Sequence, residues 1–173
     1  MIPACPPWST GAGQAWLLLP WRQHLKVITA VDSSPGMLEV LDEKIRNLKL
    51  ANMSTRLLDL TGETAFEDRF HLVHTSMILH HIGPVDVLIE GFYSALHPGG
   101  RLAMADLDRE DGDFHGYAQG VAHHGFDRLE PEDILKAKGF TAVKTVTAHE
   151  LSKEVSGGGK KTFPVFLMTG RRP

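Results

Sequence analysis

The alternation of short β-branched runs with longer amphipathic ones constrains this chain more than any other feature. Residues 26–32 are Lys26, Val27, Ile28, Thr29, Ala30, Val31 and Asp32, a buried-strand composition that closes on an acid and meets Ser33, Ser34, Pro35 and Gly36. Met37, Leu38, Leu41, Ile45 and Leu48 follow at helical spacing, with Glu39, Asp42, Glu43, Lys44 and Arg46 on the other side, so the apolar stripe is expected to be core. Residues 54–60 read as a second strand, with Asp59 near its end, and 70–79 as a third that runs into His80, His81, Ile82, Gly83 and Pro84. Pro84 suits the first turn of a helix reaching Leu96, which His97, Pro98, Gly99 and Gly100 stop.

Residues 101–107 form a fourth strand with acids at Asp106 and Asp108, and 130–138 a short helix ended by Gly139. The runs 141–147 and 162–170 are close enough to pair as an antiparallel hairpin. Strand and helix in alternation predict an α/β fold: a doubly wound, mostly parallel sheet with right-handed crossovers and an antiparallel C-terminal edge hairpin. With no repeat and no long linker, 173 residues suit a single domain over 1–173.

Charge and cysteine content narrow the partners. Eighteen Lys and Arg against 21 Asp and Glu leave a net charge of −3, which provides no field for nucleic acid or an anionic membrane. Neither is expected as a partner. One cysteine, Cys5, makes no internal disulfide and no Cys-based zinc site, which points to a reducing compartment and a cytoplasmic location. The apolar stretch 15–20 is far shorter than the roughly 18 residues of a membrane span. Nothing in the sequence fixes the oligomeric state.

In an open α/β sheet the C-terminal strand ends line one crevice. An acid at the end of one strand, Asp32, can accept from both ribose hydroxyls, and one at the next, Asp59, can reach an adenine amino group. Acids also cap strand ends and helix starts, but in this order, with helices between, they favour a nucleoside site.

These segments carry a resemblance. Val31 to Leu38, Leu58-Asp59-Leu60, Leu79-His80-His81 and Leu96 to Leu102 resemble successive motifs of class I S-adenosylmethionine-dependent methyltransferases, with the similarity running from about Lys26 onward. The resemblance implies that Asp32 holds the ribose and that Ser33 and Met37 border the nucleoside. It implies also that Asp59 with Leu60 meets the adenine and that Ser76 and Met77 line the cofactor pocket. Segments 120–126 and 163–167 resemble a small-molecule subgroup.

The family's glycine-rich turn, Asp/Glu-x-Gly-x-Gly-x-Gly, is poorly matched. Gly11 and Gly13 stand in register as cofactor-binding glycines, but Ser9 occupies the place of the acid, and Pro3, Pro6 and Pro7 make residues 2–8 a poor central strand. All three tryptophans, Trp8, Trp16 and Trp21, fall in this anomalous segment of residues 1–25. Codons read from their third base permit Val and Asp across Trp8, Ser9 and Thr10, then Gly, Thr, Gly and Leu from Ala12 to Trp16, one residue short of the motif. Divergence and a shifted reading frame both account for this segment, and the coding DNA separates them.

The implied reaction is transfer of a methyl group from the cofactor S-adenosyl-L-methionine to a small molecule by in-line displacement. Positioning carries most of such a reaction. A histidine taking the acceptor's proton would be His80 first, then His123 or His124. The pairs His80-His81 and His123-His124, with Asp106 and His115, also raise a metal site. Adjacent strand residues point to opposite faces, however, and no His-x-x-x-His falls on a predicted helix, so pocket-lining or surface histidines are the simpler account and no metal is assigned. Two rivals stand beside the transferase. One is a catalytically silent relic or binding protein without a working cofactor loop. The other is an NAD-dependent oxidoreductase, which would want a third glycine where Trp16 stands.

Overall fold

The computed structural model describes residues 2–3, 24–60, 68–116, 120–155 and 158–173. The chain divides into two compact units, Met1–Leu60 and Thr61–Pro173.

In the first unit, strands β1 (Ile2–Pro3), β2 (Ile28–Asp32) and β3 (Met53–Leu57) lie in the order β1-β2-β3, all parallel. Helix α1 (Pro35–Asn47) is the crossover between β2 and β3. Ser34 starts it, accepting the Met37 amide at 3.4 Å, and Pro35 suits the first turn because its missing N–H is not needed there. Leu41 packs into a cluster with Ile28, Ala30 and Met53, and Leu25, Ile45 and Leu50 lie against it. Thr55 Oγ1 donates to Asp42 Oδ1 at 2.9 Å, tying the helix to β3. The expected stripe is core only in part: Leu38 and Leu41 are buried, whereas Leu48 is 52% exposed, because the helix ends before it and its amide caps the last turn. Both strands are shorter than the sequence suggests. Val27, 76% exposed, precedes β2, and β3 stops at Leu57, leaving Asp59 in the following loop.

The second unit holds β4 (Phe70–Ser76), β5 (Leu96–Leu107), β6 (Thr141–Glu154) and β7 (Lys160–Arg171) in the order β4-β5-β7-β6. β4 and β5 are parallel, joined through α2 (Val85–Ala95), while β7 runs antiparallel between β5 and β6. The hairpin therefore contributes one inner strand and one edge strand. Helix α3 (Leu129–Ala137) precedes β6 and ends at Gly139, whose φ of +92° suits glycine. Leu102 and Met104 on β5 and Phe166 and Met168 on β7, the two inner strands, are completely buried, as is Val73 on β4. β6 is mostly exposed and breaks register at Thr141/Lys144 and Thr147/His149, which blunts the open edge.

Two boundaries differ from the sequence reading. β5 begins at Leu96, because Phe70 pairs with Leu96 before a register shift lets Leu72 pair with Arg101; Gly99 absorbs the irregularity at φ +80°. β4 ends at Ser76, where Met77 turns to φ +55° and a 3-10 turn follows at Leu79–His81.

Candidate functional site

In the first unit the site residues gather at the C-terminal ends of β2 and β3. Asp32, 4% exposed, accepts the Ser34 amide through Oδ1 at 2.8 Å, while its buried Oδ2 has no partner among the described residues. Burial pushes this carboxyl up from 3.8 to about 6, against amide hydrogen bonds from Ser34 and Ser33 that pull it down. The Asp32 carbonyl accepts the Leu58 amide at 3.0 Å, which brings the loop carrying exposed Asp59 and buried Leu60 beside the end of β2. Ser33 is exposed, and Met37 is half-buried in the first turn of α1. A buried acid with an unsatisfied acceptor fits a ligand that brings hydroxyl donors, as a ribose does. Gly11 and Gly13 lie outside the described residues.

In the second unit Ser76 ends β4, buried, and Met77 donates its amide to Ala105 at 2.8 Å. The 3-10 turn corrects the expectation that His80 and His81 point to opposite faces of a strand. Their ring centroids are 4.1 Å apart, and His115 lies 4.8 Å from His80 and 5.4 Å from His81. His80 is 1% exposed and donates Nδ1–H to Asp106 Oδ1 at 2.6 Å. Its Nε2, the acceptor in the neutral ring, is buried and has no hydrogen-bond partner among the described residues. Asp106 is completely buried at the end of β5 and accepts the Leu107 amide as well, at 2.8 Å.

The other two histidines have different work. His123 donates Nε2–H to the carbonyls of Ile82 at 3.0 Å and Gly83 at 3.1 Å, and the amides of Ala122 and His123 both donate to the His80 carbonyl. It thus clamps the 3-10 turn. His124 is 56% exposed, with Nδ1 3.6 Å from Glu110 Oε1. The sequence groups Asp106 with these histidines and His115 as a candidate metal set; what it does not give is the direct His80–Asp106 hydrogen bond, which spans 26 positions and leaves no local pattern.

Comparison with known proteins follows the same line. The family described as "Methyltransferase domain" matches residues 9–100. The chain belongs to this family, and its fold is the Rossmann-like α/β fold of its structural neighbours. An uncharacterised methyltransferase of Schizosaccharomyces pombe is 34% identical over 131 residues, covering 65% of this chain and 45% of that protein. The chain spans less than half the length of the curated relatives it matches. Among solved structures, the YcgJ protein of Bacillus subtilis superposes with a TM-score of 0.75 at 14% identity, over 99% of this chain and 90% of the other. Phosphoethanolamine N-methyltransferase 2 of Haemonchus contortus, in complex with S-adenosyl-L-methionine, does so with a TM-score of 0.74 at 18% identity, over 100% and 48%. At these identities the structures speak for the fold alone. The matches do not favour the dehydrogenase or the silent relic. Among the described residues no helix is long and apolar enough to cross a membrane.

Proposed function

We propose that the chain, working as one domain over 1–173, transfers a methyl group from S-adenosyl-L-methionine to a small-molecule acceptor by in-line displacement. The observation that carries this reading is Asp32: a buried, half-satisfied carboxylate at the end of β2 in a chain of the methyltransferase family. Asp32 holds the ribose hydroxyls through Oδ2, Ser33 and Met37 border the nucleoside, and Asp59 with Leu60 meets the adenine. By the family resemblance Ser76, Met77, Gly11 and Gly13 are further cofactor-binding residues. The cofactor supplies an electrophilic methyl on a sulfonium, so the protein's task is to hold the acceptor in line, an effect worth roughly 7–11 kcal/mol in ideal cases.

His80 is the residue that meets the acceptor's nucleophilic group. Its Nε2 lone pair takes the proton, while Asp106 fixes the tautomer and orientation through Nδ1, as a carboxylate does behind a histidine base. His123 supports that turn from behind, and His124 stands second to it because it is exposed beside Glu110. The net charge of −3 favours a small-molecule acceptor over nucleic acid, and the single cysteine favours the cytoplasm.

Calorimetric titration of the full chain with S-adenosylmethionine and S-adenosylhomocysteine tests the reading. Saturable binding is expected, with about 2.7 kcal/mol of added stability at 100 times the dissociation constant. Absence of binding and of stabilisation would return the chain to the silent relic.

A further inference from the structure

The histidine cluster of the second unit has a chemistry of its own. His80 donates a hydrogen bond from Nδ1 to Asp106 and His81 one from Nδ1 to the Gly120 carbonyl at 2.7 Å, which in the neutral rings makes Nε2 the coordinating nitrogen. One ligating atom from each of His80, His81 and His115 lies within 4.8 Å of those of the other two. Imidazole acceptors gathered this way repel a carboxylate or phosphate and attract a cation. A carboxylate behind one imidazole and a backbone carbonyl behind another is how metal-ligating histidines are ordinarily oriented.

We propose that His80, His81 and His115 bind a divalent transition-metal ion, with Asp106 and the Gly120 carbonyl as positioning groups. An all-imidazole set suits zinc, copper, nickel or iron and not magnesium or calcium. Zinc–nitrogen bonds of 2.0–2.1 Å put tetrahedral ligand atoms about 3.4 Å apart, so the widest pair closes inward on binding. His115 can supply that movement, because it sits on the turn that follows Asp111 and is only half-buried.

Three protein ligands leave a coordination position for an acceptor oxygen, sulfur or nitrogen. On the transferase reading proposed above, the ion takes over the part given to His80: the acceptor binds it as an anion and releases its proton to water, and His80 serves as a ligand. The substrate class is then a small molecule with an acidic hydroxyl or thiol.

The test is titration of the full, tag-free, chelator-treated chain with Co2+ and Zn2+, with Mg2+ as control. One Co2+ per chain is expected, with visible d–d absorption that Zn2+ abolishes and Mg2+ leaves unchanged. His115→Ala, on its turn, and His81→Ala should each weaken binding at least tenfold with an unaltered far-ultraviolet circular dichroism spectrum. Asp106→Asn, which keeps all three ligands, should weaken it about 10- to 100-fold. Failure to bind one equivalent, or Zn2+ affinity unchanged in His115→Ala and His81→Ala, overturns the site. S-adenosylhomocysteine binding measured on the same samples tells the two readings apart: kept without metal binding, it sinks only the ion; lost with metal binding intact, it sinks only the transferase.

Discussion

His80 Nδ1 and Asp106 Oδ1 are 2.6 Å apart, on side chains that are 1% and 0% exposed. The bond joins the 3-10 turn after β4 to the end of β5, so it holds two parallel strands' C-terminal loops in one arrangement. Asp106→Asn keeps the shape but removes the charge that His80 and the Leu107 amide share. A loss of about 1.5–3 kcal/mol is expected, the usual worth of a hydrogen bond to a charged group. Urea unfolding measures it as a lower midpoint at unchanged slope.

Asp32 gives a pH dependence of unusual sign for an acid. Its carboxyl stands at about 6 in the folded chain against 3.8 as a free side chain, so the native state binds the extra proton between those values. Its contribution to stability is complete below about pH 4 and is lost as pH rises through 6. Ribose hydroxyls favour the ionised form, so affinity for S-adenosylhomocysteine should rise from pH 5 to pH 7. Calorimetry at the two pH values checks this. Asp32→Ala should cost tenfold or more in affinity, and unchanged affinity would remove Asp32 from the ribose.

The histidines work in the opposite direction. Burial lowers His74, His81 and His115, the last to about 4, where His80, His81 and Lys153 add to the effect. Below the ordinary value of 6.5 the unfolded chain binds more protons than the folded one, so their stabilisation is present above 6.5 and lost as pH falls toward 4. The His115 window reaches from about 4 to 6.5 whereas that of Asp32 closes at about 6, and His74 and His81 act in the direction of His115, so metal-free protein should unfold at lower urea at pH 5 than at pH 7. His115→Gln should flatten that slope.

Two glycines give opposite expectations for the same substitution. At Gly125, φ is +68° and a Cβ would lie 2.1 Å from the Asp108 carbonyl oxygen, where the 120–126 segment bridges to β5. Gly125→Ala should destabilise by about 2 kcal/mol or more. Gly36 lies in the first turn of α1 with nothing near its missing side chain, so Gly36→Ala should stabilise by about 0.5–1 kcal/mol. Thermal unfolding of the pair checks both signs.

Periodicity and turn residues made the order of elements legible, because buried parallel strands and an amphipathic helix each leave a local pattern in the chain. Asp32 was legible for the same reason, standing where a β-branched run meets Ser-Ser-Pro-Gly. Boundaries set by pairing were not. β6 continues to Glu154 because β7 lies alongside it, and β5 takes in Leu96 because Phe70 opposes it. The histidine cluster also depends on distant partners. Residues 80 and 81 look like the end of a strand until Met77 turns at positive φ, and only the fold brings His115 and Asp106 to them. Gly11 and Gly13 keep their standing as cofactor residues from resemblance alone.

The position of β7 makes it the strand that ties the second unit's sheet together. It follows every other strand in the sequence, yet β5 and β6 are both hydrogen-bonded to it and neither pairs with the other. Without Lys160–Arg171, β5 keeps only its β4 partner and β6 has none among the described strands. Phe166 and Met168, fully buried on that strand, close the second unit. A chain interrupted before Lys160 would carry β5 with one open edge and β6 with no partner, ready to join a neighbour's strands.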